Sequence, residues 1–262
     1  MKIPKFKIRC SAISKIMADD VKTKPLTENQ KNRLAELLKK EKLTENQHNE
    51  MNKLIEKEKV KPELSSGAKS YCQQWLKEQI YGRRYEVRSK YLEKGNLCED
   101  YAIEMLNYIF KKQYVKNEQY FENEYMTGTP DIIDTMIRDI KNSWSIDSYP
   151  LFDLKVKNEY YWQMQGYLNL TGLRQASVDF CLVNAPDHLI QSEVKKASYT
   201  SVKTDYELFQ YYTHLLTFDD IDPRQRVRSF PVAYNQNDVD RIEQRVKMCR
   251  VYTQELINRM EK

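Results

Sequence analysis

Between Asn96 and Val183 the hydrophobic period switches repeatedly, and that alternation leaves few folds open. Asn96 to Phe110 reads as a helix with Ala102, Leu106 and Ile109 on one stripe. Gln119 to Met126 reads as a strand. Asp131–Ile133 and Met136–Asn142 are short β-rich runs divided by Asp134-Thr135, the pattern of a hairpin. Tyr160 to Leu170 returns to helical spacing and stops at Thr171-Gly172, a C-cap signal. Ala176 to Val183 is apolar enough for a buried strand. Arg226 to Ala233 predicts a final strand, and Asn237-Asp238 opens a long helix to about Met260. Helix, three strands, helix and strand in that order predict an α/β fold, with a mixed central sheet flanked by helices.

Upstream the texture is different. Leu26–Lys42 and Leu43–Lys59 are copies of one pattern at a period of 17. Each opens with a capping box, Thr27 to Gln30 and Thr44 to Gln47. Leu34, Leu37 and Leu38, then Met51, Leu54 and Ile55, give each copy one apolar stripe. A weaker third copy starts at Leu64, with Trp75 and Leu76 in the matching places. Two or three copies are too few for a solenoid, so a helical hairpin inserted beside a larger core is expected. The expected organisation is residues 1–20 as an N-terminal helix of the core, 21–63 as the hairpin, and 64–262 as the core proper. Charges in the hairpin nearly cancel, which suits a solvated helical surface better than a DNA-binding one.

Composition excludes several functions. Six glycines, none in G-x-G-x-x-G or G-x-x-x-x-G-K-[ST], argue against dinucleotide and P-loop sites. Five scattered cysteines and three distant histidines, with no C-x-x-C, argue against zinc and iron–sulfur centres. An odd cysteine count suits a reducing cytoplasm. No apolar run approaches membrane-spanning length, and the first residues lack the apolar stretch of a signal peptide. The 43 Lys+Arg against 38 Asp+Glu leave +5, compatible with an anionic partner. At 262 residues the chain buries roughly 70–75% of its unfolded surface without needing a disulfide or metal.

The chemical signal is a set of carboxylates with one lysine. Asp139 and Lys141 stand two apart on a strand, so both project from one face. Asp131 lies eight residues earlier across the hairpin, which can set its carboxylate beside Asp139. Such a pair suits a hard, oxygen-seeking cation. Lys141 can offset charge on an attacked phosphate or orient a water. Glu99 begins the inward stripe of Ala102, Leu106 and Ile109, and a buried carboxylate there needs a partner. Gln163 and Tyr167 share a helical face. Gly166 permits close approach of a neighbouring strand or phosphate. Each piece alone could equally be a surface salt bridge or polar helix surface; the ordered set is far rarer.

At these residues the chain resembles the PD-(D/E)xK nuclease superfamily, and within it the phage lambda-type exonucleases and YqaJ-like viral recombinase nucleases. The likeness covers roughly residues 5–20 and 90–190. Gly95-Asn-Leu-Cys-Glu99 matches the family's helical glutamate motif. Thr129-Pro-Asp131 matches its Ser-Pro-Asp, and Asp139-Ile-Lys141 its Glu-x-Lys with Asp for Glu. Gln163-Met-Gln165 matches its glutamine helix, and Gln163-x-x-x-Tyr167 fits the RecB-type version. Arg9-Cys-Ser11-Ala-Ile-Ser14 looks like its early serine-bearing helix. The hairpin departs from the family's minimal pattern, and the four cysteines of the iron–sulfur branch are not matched.

The resemblance implies a restriction-endonuclease-like core and a Mg²⁺- or Mn²⁺-dependent deoxyribonuclease. One or two ions would be held by Glu99, Asp131, Asp139 and the backbone carbonyl of Ile140. Lys141, Gln163 and Tyr167 would complete the catalytic set. Arg9, Ser11 and Thr129 would hold a terminal phosphate, and Ser143 and Gln165 would contact DNA. From the sequence itself, Arg83 and Arg84 sit in the densest basic stretch near the motifs, Gly82 to Lys90, with an ordinary charged linker as the competing reading. Trp144 is a candidate for stacking on a base or wedging a duplex end, with core packing as the competing role. The expected substrate is linear duplex DNA cut from its ends, 5′ to 3′, in phage-type recombination or DNA processing, by a cytoplasmic protein of a bacterial host or a phage. A single-strand annealing protein as partner and a ring-shaped homotrimer follow by analogy. An endonuclease of the same fold, or a non-catalytic DNA-binding or scaffolding protein, are the alternatives.

Overall fold

Strand β6 (Gln175–Cys181) is buried along its length except at Gln175, the burial of a strand covered on both faces. Its neighbours are β5 (Ile137–Asn142), parallel, and β7 (Val227–Ala233), antiparallel. β4 (Ile132–Ile133) closes the sheet antiparallel to β5, in the order β4-β5-β6-β7. A second sheet holds β1 (Ile8–Arg9), β3 (Met126–Gly128) and β2 (Phe121–Glu122) in the order β1-β3-β2. Both sheets mix parallel and antiparallel pairs and are flanked by helices. The α/β architecture is therefore as expected, with its strands shared between two sheets. The computed structural model describes residues 3–18, 26–59, 63–85 and 88–261.

The chain divides into two units. One comprises Lys7–Ser14 and Arg84–Asp240, and holds both sheets. Here the expected helix at Asn96–Phe110 is two helices, α5 (Lys90–Leu97) and α6 (Glu99–Phe110), broken at Cys98. The expected strand at Gln119–Met126 is instead a tight hairpin. The Asn123 side chain accepts from the backbone of Tyr125 and Met126, at 2.8 and 2.9 Å, and turns the chain. Helix α7 (Asn158–Thr171) crosses between β5 and β6, packs on strands of both sheets, and ends at Gly172 in the left-handed region, φ 75°. Helices α8 (Asp187–Ser198) and α9 (Asp205–Leu216) follow β6; no reading of the sequence anticipated them. A core of Cys98, Ala102, Ile103, Leu106, Ile132, Ile140 and Cys181 seats α6 on the four-stranded sheet.

The other unit comprises Met1–Phe6, Lys15–Arg83 and Arg241–Lys262. Helices α2 (Glu28–Leu38) and α3 (Glu45–Lys59) bury Leu26, Leu34, Leu37 and Leu54 between them. The capping box at Thr27 and Gln30 forms in both directions, and so does that at Thr44 and Gln47. Arg33 donates twice to Glu50 and staples α2 to α3. Helix α4 (Ser66–Tyr81) is capped by Ser65, whose hydroxyl accepts from Ala68. Gln73 on α4 donates to the Tyr252 hydroxyl of α10 (Gln236–Met260) at 2.8 Å. The junction expected at residues 20–21, and Glu86-Val87 of the basic stretch, lie outside the described residues.

Candidate active site

The β4–β5 hairpin assembles the first part of the site. Ile132 pairs with Arg138, so Asp131 falls opposite Asp139. Alternation along β5 then sorts the side chains. Arg138 and Ile140 take one face, where buried Arg138 meets Asp179 at 2.7 Å and Ile140 joins the core under α6. Asp139 and Lys141 take the other. Their side chains form an ion pair, Lys141 Nζ to Asp139 Oδ2 at 2.5 Å. The Asp131 Oδ2 accepts the Ile140 backbone N–H at 2.7 Å, which locks the hairpin's first residue onto β5. Asn117 shapes the turn before it: its side-chain amide donates to the Pro130 carbonyl at 2.9 Å, and its backbone N–H to the Asp131 carbonyl at 2.7 Å.

Helix α7 supplies the second part. Gln163 Nε2 donates to Asp139 Oδ1 at 3.0 Å and to the Tyr167 hydroxyl at 3.1 Å. Two glycines permit this packing. A Cβ on Gly128 would come within 2.6 Å of the Tyr167 ring, and one on Gly166 within 2.5 Å of Ile13 and 2.7 Å of the Cys10 sulfur. The N-terminal segment is thus clasped against β3 and α7. Arg9 pairs with Thr127 in parallel register, and Ser11 and Thr129, each two residues further on, are exposed.

Glu99 opens α6, and its carboxylate is held by Lys116 at 2.7 Å. Glu99, Asp131, Lys141, Asn142, Ser143, Trp144 and Tyr160 line one cleft of about 430 Å³. Trp144 is half-buried, edge-on to Tyr91 with Lys90 over its ring at 4.4 Å. Ser143 is buried. Arg83 and Arg84 are exposed and fall in different units.

Gln165 requires a correction. Its side chain is fully buried; it donates to the Ala233 carbonyl at 2.8 Å and accepts from the Asn235 N–H at 2.9 Å. Two residues along a helix from Gln163, it faces the end of β7 and not the cleft, so it is a structural pin, unavailable to DNA. Sequence reading also missed Lys116, Asn117 and Tyr160, which lie in loops or at a helix start, where no period marks them.

The electrostatics are those of crowded carboxylates. Burial pushes Asp131 up to about 7, and Asp139 and Glu99 add to the rise while Lys141 and the Ile140 N–H oppose it. Burial also raises Asp139; Lys141 pulls it back, and Asp179 and Glu99 push it further up. Burial alone would lower Lys141, but Asp139 and Asp131 outweigh it and hold the ammonium above its ordinary value. Among the described residues no three His, Cys, Asp or Glu side chains close on one point; Glu99, Asp131 and Asp139 each accept from a protein donor. The donor set is nevertheless oxygen-only, and the mutual repulsion of Glu99, Asp131 and Asp139 is what a divalent cation relieves.

This arrangement belongs to a mixed α/β fold shared with solved exonucleases. The chain is similar over 98% of its length to 97% of a phage-related exonuclease from Haemophilus somnus 129PT, at 25% identity and a TM-score of 0.68. An alkaline exonuclease, LHK-Exo, from Laribacter hongkongensis matches at 12% identity, 97% and 91% coverage, and a TM-score of 0.54. The same enzyme in complex with dAMP matches at 13% identity, 87% and 89% coverage, and a TM-score of 0.51. No family model and no curated protein matches the sequence. These likenesses support a nuclease.

Proposed function

We propose that the chain is a divalent-metal-dependent deoxyribonuclease of the PD-(D/E)xK type that degrades linear duplex DNA from its ends, 5′ to 3′, in phage-type recombination. The observation that carries this reading is the cluster of Asp131, Asp139, Lys141 and Gln163 on one hairpin and one helix. The fold of exonucleases, one of them seen with dAMP, supports DNA as substrate.

Glu99, Asp131, Asp139 and the Ile140 carbonyl would hold one or two Mg²⁺ or Mn²⁺ ions. Bound there, such an ion supplies charge for the scissile phosphate and a more acidic water. The protein's own groups do the rest. Lys141, released from Asp139, stands ready to offset negative charge on the attacked phosphate or to orient the water. Gln163 fixes the Asp139 carboxylate through Oδ1 and leaves Oδ2 to Lys141. Tyr167 in turn orients the Gln163 amide. Arg9, Ser11 and Thr129 would bind the terminal phosphate, favoured over an internal one because charge-assisted hydrogen bonds to a doubly charged group are stronger.

The test compares linear duplex with covalently closed circular DNA in Mg²⁺. Loss of the linear form alone supports an exonuclease. Linearisation of the circle assigns an endonuclease of the same fold. Metal binding without cleavage of either assigns a DNA-binding protein.

A further inference from the structure

Lys94, in the last turn of α5, is 0% exposed. Lysine is rarely buried so completely unless a carboxylate accompanies it. Among the described residues no carboxylate pairs with Lys94. Its ammonium donates instead to two backbone carbonyls, Ser143 at 2.8 Å and Trp144 at 3.1 Å. The rings of Trp144 and Phe218 lie 5.8 and 5.3 Å away and complete the cage.

The two carbonyls belong to the residues that directly follow β5, the strand bearing Asp139 and Lys141. Ser143 and Trp144 line the candidate cleft, and so does Gly95, the residue after Lys94. A second tie runs parallel: Asn142 Nδ2 donates to the Gly95 carbonyl at 3.2 Å. A buried charge without a counter-ion costs free energy that an apolar side chain of the same length would not. The chain bears that cost where the cleft wall meets the end of the lysine-bearing strand.

We propose that Lys94 is a positioning residue: as a cation bridging the Ser143 and Trp144 carbonyls, it fixes the wall of the cleft and the end of β5. Its effect on catalysis rests on the nuclease reading above; its effect on the wall does not. Burial lowers the Lys94 pKa to about 8, with Cys98 opposing the shift. The groups facing it are the Cys98 thiol at the N-cap of α6, whose own pKa burial raises and Lys94 lowers, the two carbonyls and ring after β5, and the Phe218 ring. Lys90, on the same helix, lies over the Trp144 ring and is paired with Glu193. The bridge is therefore charged below about pH 8 and weakens above it.

The experiment uses the full chain with Trp144 as its single tryptophan, made by Trp75→Phe and Trp162→Phe. Trp144 emission is followed from about pH 6 to about pH 10, bracketing the lysine titration. A transition with a midpoint of about 8 is expected. It should vanish in Lys94→Met, and turnover on duplex DNA should fall about ten- to hundredfold, the scale of a small misplacement in a site. Lys94→Arg, which stays charged, should keep the emission flat and restore turnover above pH 8. A flat Trp144 titration with Lys94 intact overturns the proposal, and so does a folded Lys94→Met with unchanged turnover and pH profile. If Lys94→Met fails to fold, the titration of the lysine-bearing protein decides. If that protein cuts no DNA, the nuclease reading falls while the emission still judges the bridge.

Discussion

Gln163 on α7 and Asp139 on β5, 24 residues apart in sequence, are joined by a 3.0 Å hydrogen bond in the protein interior. The bond ties the crossover helix to the strand that bears the ion pair with Lys141. Asp139 is thereby held from two sides, by an amide on one oxygen and an ammonium on the other.

Replacing Asp139 with Asn keeps the shape and removes the charge. Cleavage should fall by at least about a hundredfold, the loss expected from some 3 kcal/mol of transition-state stabilisation. Circular dichroism should be unchanged. Near-normal turnover by a folded Asp139→Asn protein would remove this residue from the site.

Lys141→Met should lower turnover without weakening Mg²⁺ binding. Lys141 competes for the carboxylates that would hold the ion, so removing it leaves calorimetric affinity equal or higher. Lost affinity with turnover preserved per bound ion would assign Lys141 to the metal shell.

The pH dependence follows from Asp131. Its pKa is raised to about 7, so its folded form binds a proton that the unfolded chain has already lost. The stability this contributes is full below the ordinary aspartate range and is lost as pH rises through about 7. A cation needs the ionised form, so Mg²⁺ affinity should drop by up to about tenfold per pH unit below 7. Calorimetry at matched ionic strength checks this. An affinity that does not change across that range would contradict the assignment.

Gly166→Ala should destabilise the protein by about 1–3 kcal/mol, since the added methyl meets Ile13 and Cys10 at less than van der Waals contact. Thermal melting reads the loss. A melting temperature unchanged by the substitution would mean that the N-terminal segment is not clasped against α7.

How much of this was legible in the sequence depended on how local each signal is. Asp131, Asp139 and Lys141 could be placed because a hairpin and a strand's two-residue period fix them within eleven residues. Gln163 and Tyr167 could be placed because a helix repeats every 3.6 residues. Gln165 was misread because a motif match says nothing about which way a side chain turns two positions along. The hairpin of β2 and β3 hinges on the Asn123 side chain turning the chain, inside a run whose composition reads as one strand. Helices α8 and α9 went unread because their buried stripes are short: α8 buries only Leu189 and Ile190, α9 only Leu208 and Leu216. Lys94 carries no local signal in the sequence; only the fold wraps it in carbonyls and rings.

The central claim is tested most directly by nucleotide release from a 5′-phosphorylated linear duplex, with Mg²⁺ and with chelator, for the intact protein and Asp139→Asn. The account predicts acid-soluble nucleotides only from the intact protein with Mg²⁺, and slower release when the 5′ end is a hydroxyl. Equal release by Asp139→Asn, or release undiminished by chelator, would contradict it.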